Sequence, residues 1–325
     1  MFITPEVFFK ERMSLDNQIR VLFVTKRFQN RVNKSTEYLI AELQKQCNLS
    51  IWENDGDLSE ILRNQPHLPS FILLNDFKPD YTPKISGLKN TSIPVGALLH
   101  EIKYKPYRRS LFYERECIQY IFTHYRDASN RVIPELTERY IWLPHYVPLN
   151  IFKDYGGTRD IDCLMMGILL KRVYPKRSAM YRKLLNYPGF IYHNHPGYGE
   201  LLDDSSNFTG INYAKELSRA KIFVTCDSIE KLPLMKYFEC LACKTLLMGT
   251  GSEELKELGF IDGETFVEVD EHNVLEKVTY YLGHEEERKQ IIDNGYKLVS
   301  QRHSAEKRVQ EFLGIVSDII SNRRT

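Results

Sequence analysis

The chain has 325 residues, of which 42% are hydrophobic and 27% charged, a composition that excludes a disordered or fibrous protein. Lys plus Arg number 44 and Asp plus Glu 43, for a formal charge of +1. That balance excludes a surface built throughout for polyanions such as nucleic acid and leaves only local basic patches.

The elements follow in chain order. Residues 1–18 meet charge too early for a secretory leader core, so none is expected there. Arg20 to Thr25 is an apolar run typical of a buried strand, followed by a basic loop over Lys26 to Asn33. Ser35 to Gln46 reads as a helix with apolar positions 38, 39, 40 and 43 on one side. Strands are predicted at 49–52, 71–74, 93–99, 120–123 and 140–143, alternating with helical stretches. Prolines 144 and 148 and the loop 154–158 then separate this series from a second one. There strands are predicted at 161–166, 189–193, 222–225 and 245–248, with helices at 176–185, 213–219 and 234–243. Helices at about 252–258, 271–282, 285–301 and 304–321 close the chain. Alternation of this kind implies parallel sheets with helices on both faces. The expected fold class is therefore α/β, with two Rossmann-like domains and a ligand cleft between them. The predicted division is an N-terminal domain over 1–148 and a C-terminal domain over 149–302. A last helix over 303–325 packs back toward the first domain. The six cysteines are scattered and suit free thiols in a reducing cytoplasm, the expected location. No stretch of about 18 apolar residues suggests a membrane span.

Four segments of the second half carry a resemblance. They are Ile141-Trp-Leu-Pro144 with Asn150-Ile-Phe-Lys153 and Asp160-Ile-Asp162 leading to Met166-Gly167; Tyr174-Pro-Lys-Arg177; Pro233-Leu-Met-Lys-Tyr-Phe-Glu-Cys-Leu-Ala-Cys243; and the stretch Glu254 to Arg308 with Asp262-Gly263, Glu286-Glu287-Arg288 and His303-Ser304. In order and spacing they resemble the nucleotide-sugar-binding half of GT-B glycosyltransferases of group 1. More narrowly, they are similar to the bacterial group containing the spore-maturation CgeB-like proteins. The resemblance implies a hexosyl-transferring enzyme that uses a nucleoside diphosphate sugar, such as a UDP-sugar, in making cell-envelope or spore polysaccharide. It also implies the GT-B architecture for the two domains. An epimerase of the same architecture and a non-catalytic nucleotide-sugar-binding protein remain alternatives.

The resemblance places Glu239 on the ribose hydroxyls, a task that suits a carboxylate because its two oxygens accept both protons. Lys236 lies one helical turn earlier and, with Lys171, Arg172 and Arg177, is a candidate for the donor diphosphate. His195 and Tyr198, in the turn YHNHPGYG, are candidates near the base. The pattern departs at two points. The first carboxylate of the E-x7-E motif falls on Lys231, with Glu230 one residue out of register, and Cys243-Lys244 stands where Cys-Gly is usual. Glu230 is kept as a donor-side candidate.

In the first half, His100 ends a predicted strand and would face the cleft as the catalytic or sugar-contacting residue, with Glu101 as the alternative acid or base. His124 and His145 compete for the same role. Lys26, Arg27 and Arg31, together with Arg108 and Arg109 in the stretch YKPYRRSLFY, are candidates for an anionic acceptor such as a polymer or lipid-linked sugar. The same stretch suits peripheral contact with the inner face of a membrane, or simply a solvated helix face. Asp160-Ile-Asp162 spells DxD but precedes a strand, and Cys240-x-x-Cys243 has no second pair. No metal and no cofactor is expected, basic side chains serving the leaving diphosphate instead.

Overall fold

A computed structural model describes residues 19–28, 32–197 and 208–322. The first half contains β1 (Arg20–Val24), α1 (Ser35–Gln46), β2 (Asn48–Trp52), β3 (Gly56–Asp57), α2 (Leu58–Arg63), β4 (Phe71–Leu74), β5 (Ile85–Ser86), β6 (Val95–Leu99), α3 (Pro106–Arg115), β7 (Tyr120–Thr123), α4 (Arg126–Val132) and β8 (Tyr140–Trp142). Six of these strands form one parallel sheet in the order β2-β1-β4-β6-β7-β8, and β3 pairs with β5 apart from it. The central strands are apolar throughout because both faces are covered. Leu22, Val24, Ile72, Leu74, Ala97 and Leu99 feed one core layer. Their alternating neighbours Val21, Phe23, Phe71, Leu73 and Leu98 feed the other.

The second half contains β9 (Ile161–Met166), α5 (Pro175–Leu184), β10 (Phe190–His193), α6 (Gly210–Arg219), β11 (Ala220–Val224), α7 (Met235–Ala242), β12 (Leu246–Gly249), α8 (Glu253–Glu257), β13 (Val267–Glu268), α9 (Val274–Gly283) and α10 (Glu285–Arg302). Its parallel sheet has the order β10-β9-β11-β12-β13. Helix α7 is closed two residues past its end by Lys244, whose φ of 53° is the left-handed conformation a glycine would adopt more easily. The ammonium of Lys244 lies 4.9 Å from the Tyr296 ring. Cys240 and Cys243 are buried in the core beneath this helix. Asp160 takes both arms of Arg219 at 3.0 and 2.7 Å, and Asp162 takes Lys221 at 2.6 Å. The DxD carboxylates thus serve strand β9 at the end remote from its Met166 terminus.

The chain leaves the first half near Val147 and returns near Ser304, and the two crossings are bonded together. Val147 N–H donates to His303 O and Ala305 N–H to Val147 O, each at 2.9 Å. The returning helix α11 (Ala305–Asn322) lies on the first sheet through Val309, Phe312, Leu313, Val316 and Ile319. Their spacing of three and four gives a helix one apolar face. Phe312 meets Phe122 at 5.0 Å and Phe71 at 6.2 Å.

Both sheets have a point where the chain switches sides, between β1 and β4 in one and between β9 and β11 in the other. Loops diverge at such points and leave a crevice at the strands' carboxyl ends. The two crevices open on a common cleft.

Candidate functional site

The cleft has a volume of about 760 Å³ and is lined from both halves. On the C-terminal side its floor is the loop after β9. Gly167 there has a φ of +135°, and a Cβ on it would sit 2.6 Å from Lys236 Nζ and 3.0 Å from Arg177 Nη1. Only glycine lets this backbone run between the two cations. Lys236 Nζ donates to Met166 O at 2.6 Å. Arg177, 2% exposed, stacks on Tyr174 with 4.1 Å from its guanidinium carbon to the ring centre, and donates to Ile168 O at 3.2 Å. Its Nε has no hydrogen-bond partner among the described residues.

Glu239 lines the cleft beside this pair and is only 8% exposed. No side chain or backbone group among the described residues donates a hydrogen bond to its carboxylate. Burial pushes Glu239 up to about 7, and the Lys236 charge only partly offsets it. Burial and the Arg177 charge bring Lys236 down to about 7. A buried carboxylate to which no described residue donates, beside Lys236, Arg177 and an open backbone, suits hydroxyl donors together with an anion.

On the N-terminal side, His100 follows β6 and lines the cleft. Its backbone N–H and that of Glu101 both donate to Asp76 Oδ2 at 2.8 Å. Asp76 is held at a φ of +86°. The imidazole Nε2 lies 2.8 Å from Asn75 Oδ1, and the ring stacks on Tyr81 at 5.2 Å. Burial, then the Arg109 charge, lowers His100 to about 4, so the ring is neutral near pH 7.

The sequence-predicted residues divide plainly. His100, Glu101, Glu239, Lys236, Arg172, Arg177, His195 and Glu230 line the cleft. His195 is lowered to about 4 by burial, Lys236 and Arg177. Glu230 sits there already paired, its carboxylate taken by Lys103 and by Arg131 from across the cleft. Lys103 first, then Arg131, hold it below the usual range despite its burial. Lys171 is exposed and outside the lining, whereas Arg172, also exposed, lies at the rim of the cleft. Arg109 is corrected from acceptor ligand to structural residue: it is fully buried, pairs with Asp76 at 2.8 Å and donates to Glu101 O at 2.7 Å. Arg108 lies on the opposite, exposed face of α3, away from the cleft. Lys26 and Arg27 are not in the lining either, and Arg27 is held by Glu53 at 2.7 Å. His124 and His145 are buried and stack 4.4 Å apart, with His124 5.1 Å from the His100 ring. Arg31 and Tyr198 lie outside the described residues, as do residues 1–18.

The cleft also recruits residues that sequence reasoning passed over. Lys34, Lys78 and Lys103 supply its N-terminal cations. Lys78 lies 5.7 Å from the Tyr81 ring and 5.8 Å from Tyr104. Nothing in the local pattern distinguishes them from solvated lysines. Asn75 was legible only as the residue after a strand.

Residues 178–314 match the family described as glycosyl transferase-like. Among solved structures, a glycosyltransferase from Rickettsia africae is similar over 94% of this chain and 100% of its own, with a TM-score of 0.66 at 12% identity. The sucrose-phosphate synthase of Thermosynechococcus elongatus covers the same shares at 0.62 and 11%. HepE of Anabaena, solved in complex with UDP, is similar over 92% of this chain and 100% of its own at 0.60 and 10%. No curated protein sequence matches the chain. Fold and sequence match together define the class: a GT-B glycosyltransferase architecture of two Rossmann-like domains. Within it, the glycosyl transferase-like match falls in the second half, over residues 178–314.

Proposed function

We propose that this protein transfers a sugar, of the hexosyl kind, from a nucleoside diphosphate donor to an acceptor hydroxyl. One observation carries the reading: among the described residues nothing donates a hydrogen bond to the buried carboxylate of Glu239, which stands beside the Gly167 floor with Lys236 and Arg177. Glu239 would accept the ribose hydroxyls. Lys236 and Arg177, with Arg172 at the rim, would hold the diphosphate and stabilise the charge that grows on it as the glycosidic bond breaks. A UDP-sugar is the donor to try first, since the similar HepE was solved with UDP. Calorimetry with a panel of nucleotides tests the assignment. Glu239→Ala should weaken nucleoside diphosphate binding by about 1–3 kcal/mol with the fold intact; equal affinity for the variant and the parent would remove Glu239 from the donor site.

We further propose that no metal is required, because the cations occupy the place where leaving-group charge develops. Turnover unchanged by EDTA is the expected result, and loss of turnover restored by manganese would refute it. On the acceptor side, Lys34 and Lys78 favour an anionic acceptor, a phosphate-bearing polymer or lipid-linked sugar of the cell envelope. An acceptor KM that rises with salt and with Lys78→Ala is expected; indifference to both would point to a neutral acceptor. Work on a lipid-linked acceptor would place the protein in the cytoplasm against the inner face of the membrane. Among the described residues no helix is long and apolar enough to cross a membrane. The exposed Tyr107 and Arg108 of α3 are the groups to test by sedimentation with anionic vesicles.

A second reading has one observation behind it. Glu230, the carboxylate nearest the E-x7-E position, is neutralised by Lys103 and Arg131, which favours a protein that binds nucleotide sugar without turning it over. Donor binding with neither transfer nor hydrolysis would select that reading.

A further inference from the structure

The hydrogen bonds behind His100 settle which edge of its ring is offered to a ligand. Asn75 is fully buried between β1, α1 and β6. Its Nδ2 lies 2.8 Å from Thr25 Oγ1 and 3.1 Å from Thr36 Oγ1. Thr25 Oγ1 spends its own proton on Lys26 O at 3.0 Å, so toward Asn75 it accepts. The amide group facing the two threonines is therefore the NH2, and the oxygen faces His100. An amide oxygen only accepts, so His100 Nε2 carries the proton. The ring faces lie against Tyr81 and His124, with centroids 5.2 and 5.1 Å away. The remaining edge is Nδ1, which no described residue bonds.

We infer that Asn75 is a positioning residue that locks His100 as the Nε2–H tautomer, so that its Nδ1 lone pair accepts a hydrogen bond from a ligand hydroxyl in the cleft. The relevance to sugar transfer rests on the function proposed above; the tautomer does not. His100 in this state receives a proton, or a hydrogen bond, from a sugar or acceptor hydroxyl and cannot donate one through Nδ1. The arrangement needs a neutral ring. Arg109 disfavours the imidazolium, and burial disfavours it more. Asp76 is already committed to Arg109 and to the backbone N–H groups of His100 and Glu101. His124 lies against one ring face and is itself lowered to about 3, chiefly by burial and then by His100, with His145 and Arg308 behind it. Tyr81 and the exposed Glu101 complete the surroundings.

Nitrogen-15 NMR of the histidine rings reads the tautomer without any turnover. The expected spectrum of His100 shows protonated Nε2, bare Nδ1 and a midpoint at least one pH unit below the usual 6.5. The substitution Asn75→Asp keeps the shape and the oxygen acceptor toward His100 but adds a negative charge beside the ring. It should raise the His100 midpoint by one pH unit or more and move the acid limb of the transfer rate by the same amount. Asn75→Ser, smaller and uncharged, should release the ring without moving the limb upward and lower kcat more than donor KM. A bare Nε2 in the parent protein overturns the inference, as does a folded Asn75→Asp protein whose His100 midpoint is unmoved. The predicted tautomer in a protein that shows no transfer would sink the transferase reading and leave the inference standing.

Discussion

At the scale of single residues, the donor side of the cleft turns on Glu239, to whose buried carboxylate no described residue donates, and on Lys236 beside it. Burial brings Lys236 down and Glu239 up, each to about 7, because it outweighs their mutual attraction. A diphosphate entering beside Lys236 would restore its charge and raise its midpoint. Ribose hydroxyls donating to Glu239 would lower the carboxyl. The two effects oppose each other near pH 6.5, but at pH 8 Glu239 is already ionised and only Lys236 responds. Nucleoside diphosphate binding at pH 8 is therefore expected to take up protons, a fraction of one per site. Calorimetry in two buffers of different ionisation enthalpy measures it, and Lys236→Met should abolish it. Release of protons at pH 8 would show that Lys236 does not face the phosphates. Charge alone did not sort such residues in the sequence. Arg177 and Arg109 both read there as anion ligands, one for the donor diphosphate and one for the acceptor, yet both are buried, one against the cleft and the other locked to Asp76. The difference lies in what the fold brings alongside, which no local spacing encodes.

At the scale of elements, the long parallel strands were legible because burial on both faces leaves continuous apolar runs such as RVLFV and IDCLMM. Strands β3, β5 and β13, each of two residues, were not, since two residues carry no periodicity. The cleft itself was legible only as a consequence of the two switch points, because its walls join residues some hundred positions apart. Helix α11 was legible as a helix from its apolar stripe, and its role rests on Phe312. That ring fills the space between Phe71 and Phe122 under the first sheet and is 2% exposed. Phe312→Ala should destabilise the protein by about 3–5 kcal/mol, read as a lower urea midpoint. Because Phe312 is absent from the cleft lining, nucleotide affinity of the folded fraction should be unchanged. A loss below 1 kcal/mol would mean that α11 is an accessory layer.

At the scale of the whole molecule, the halves are joined by polar contacts that respond to pH. Glu254, 2% exposed, accepts the backbone N–H of Arg126 at 2.9 Å and of Asp127 at 3.2 Å, at the start of α4 in the other half. Arg126 also pairs with Glu257. Five histidines, His100, His124, His145, His195 and His303, are lowered chiefly by burial. Each is neutral in the folded protein and charged when unfolded below pH 6.5, so the stability it supports is present above 6.5 and lost as pH falls toward its folded midpoint. Glu239 and Glu254, raised to about 7, act in the opposite sense between 4.5 and 7. Five groups against two leave a net loss, with each histidine contributing a slope of up to about 1.4 kcal/mol per pH unit. The unfolding temperature is expected to drop steadily from pH 6.5 to 4.5, and less steeply in His124→Phe. A flat profile would mean that the histidines are charged in the folded state. The paired crossings at Val147 and Ser304 have a consequence for synthesis. Because the chain returns to its first half only through α11, residues 149–302 are an insertion that emerges from the ribosome before that half has its last layer. Phe71 and Phe122 remain uncovered on the nascent chain until residue 312 clears the exit tunnel. The second half can close around its own sheet first, and the N-terminal half, though made earliest, is finished last.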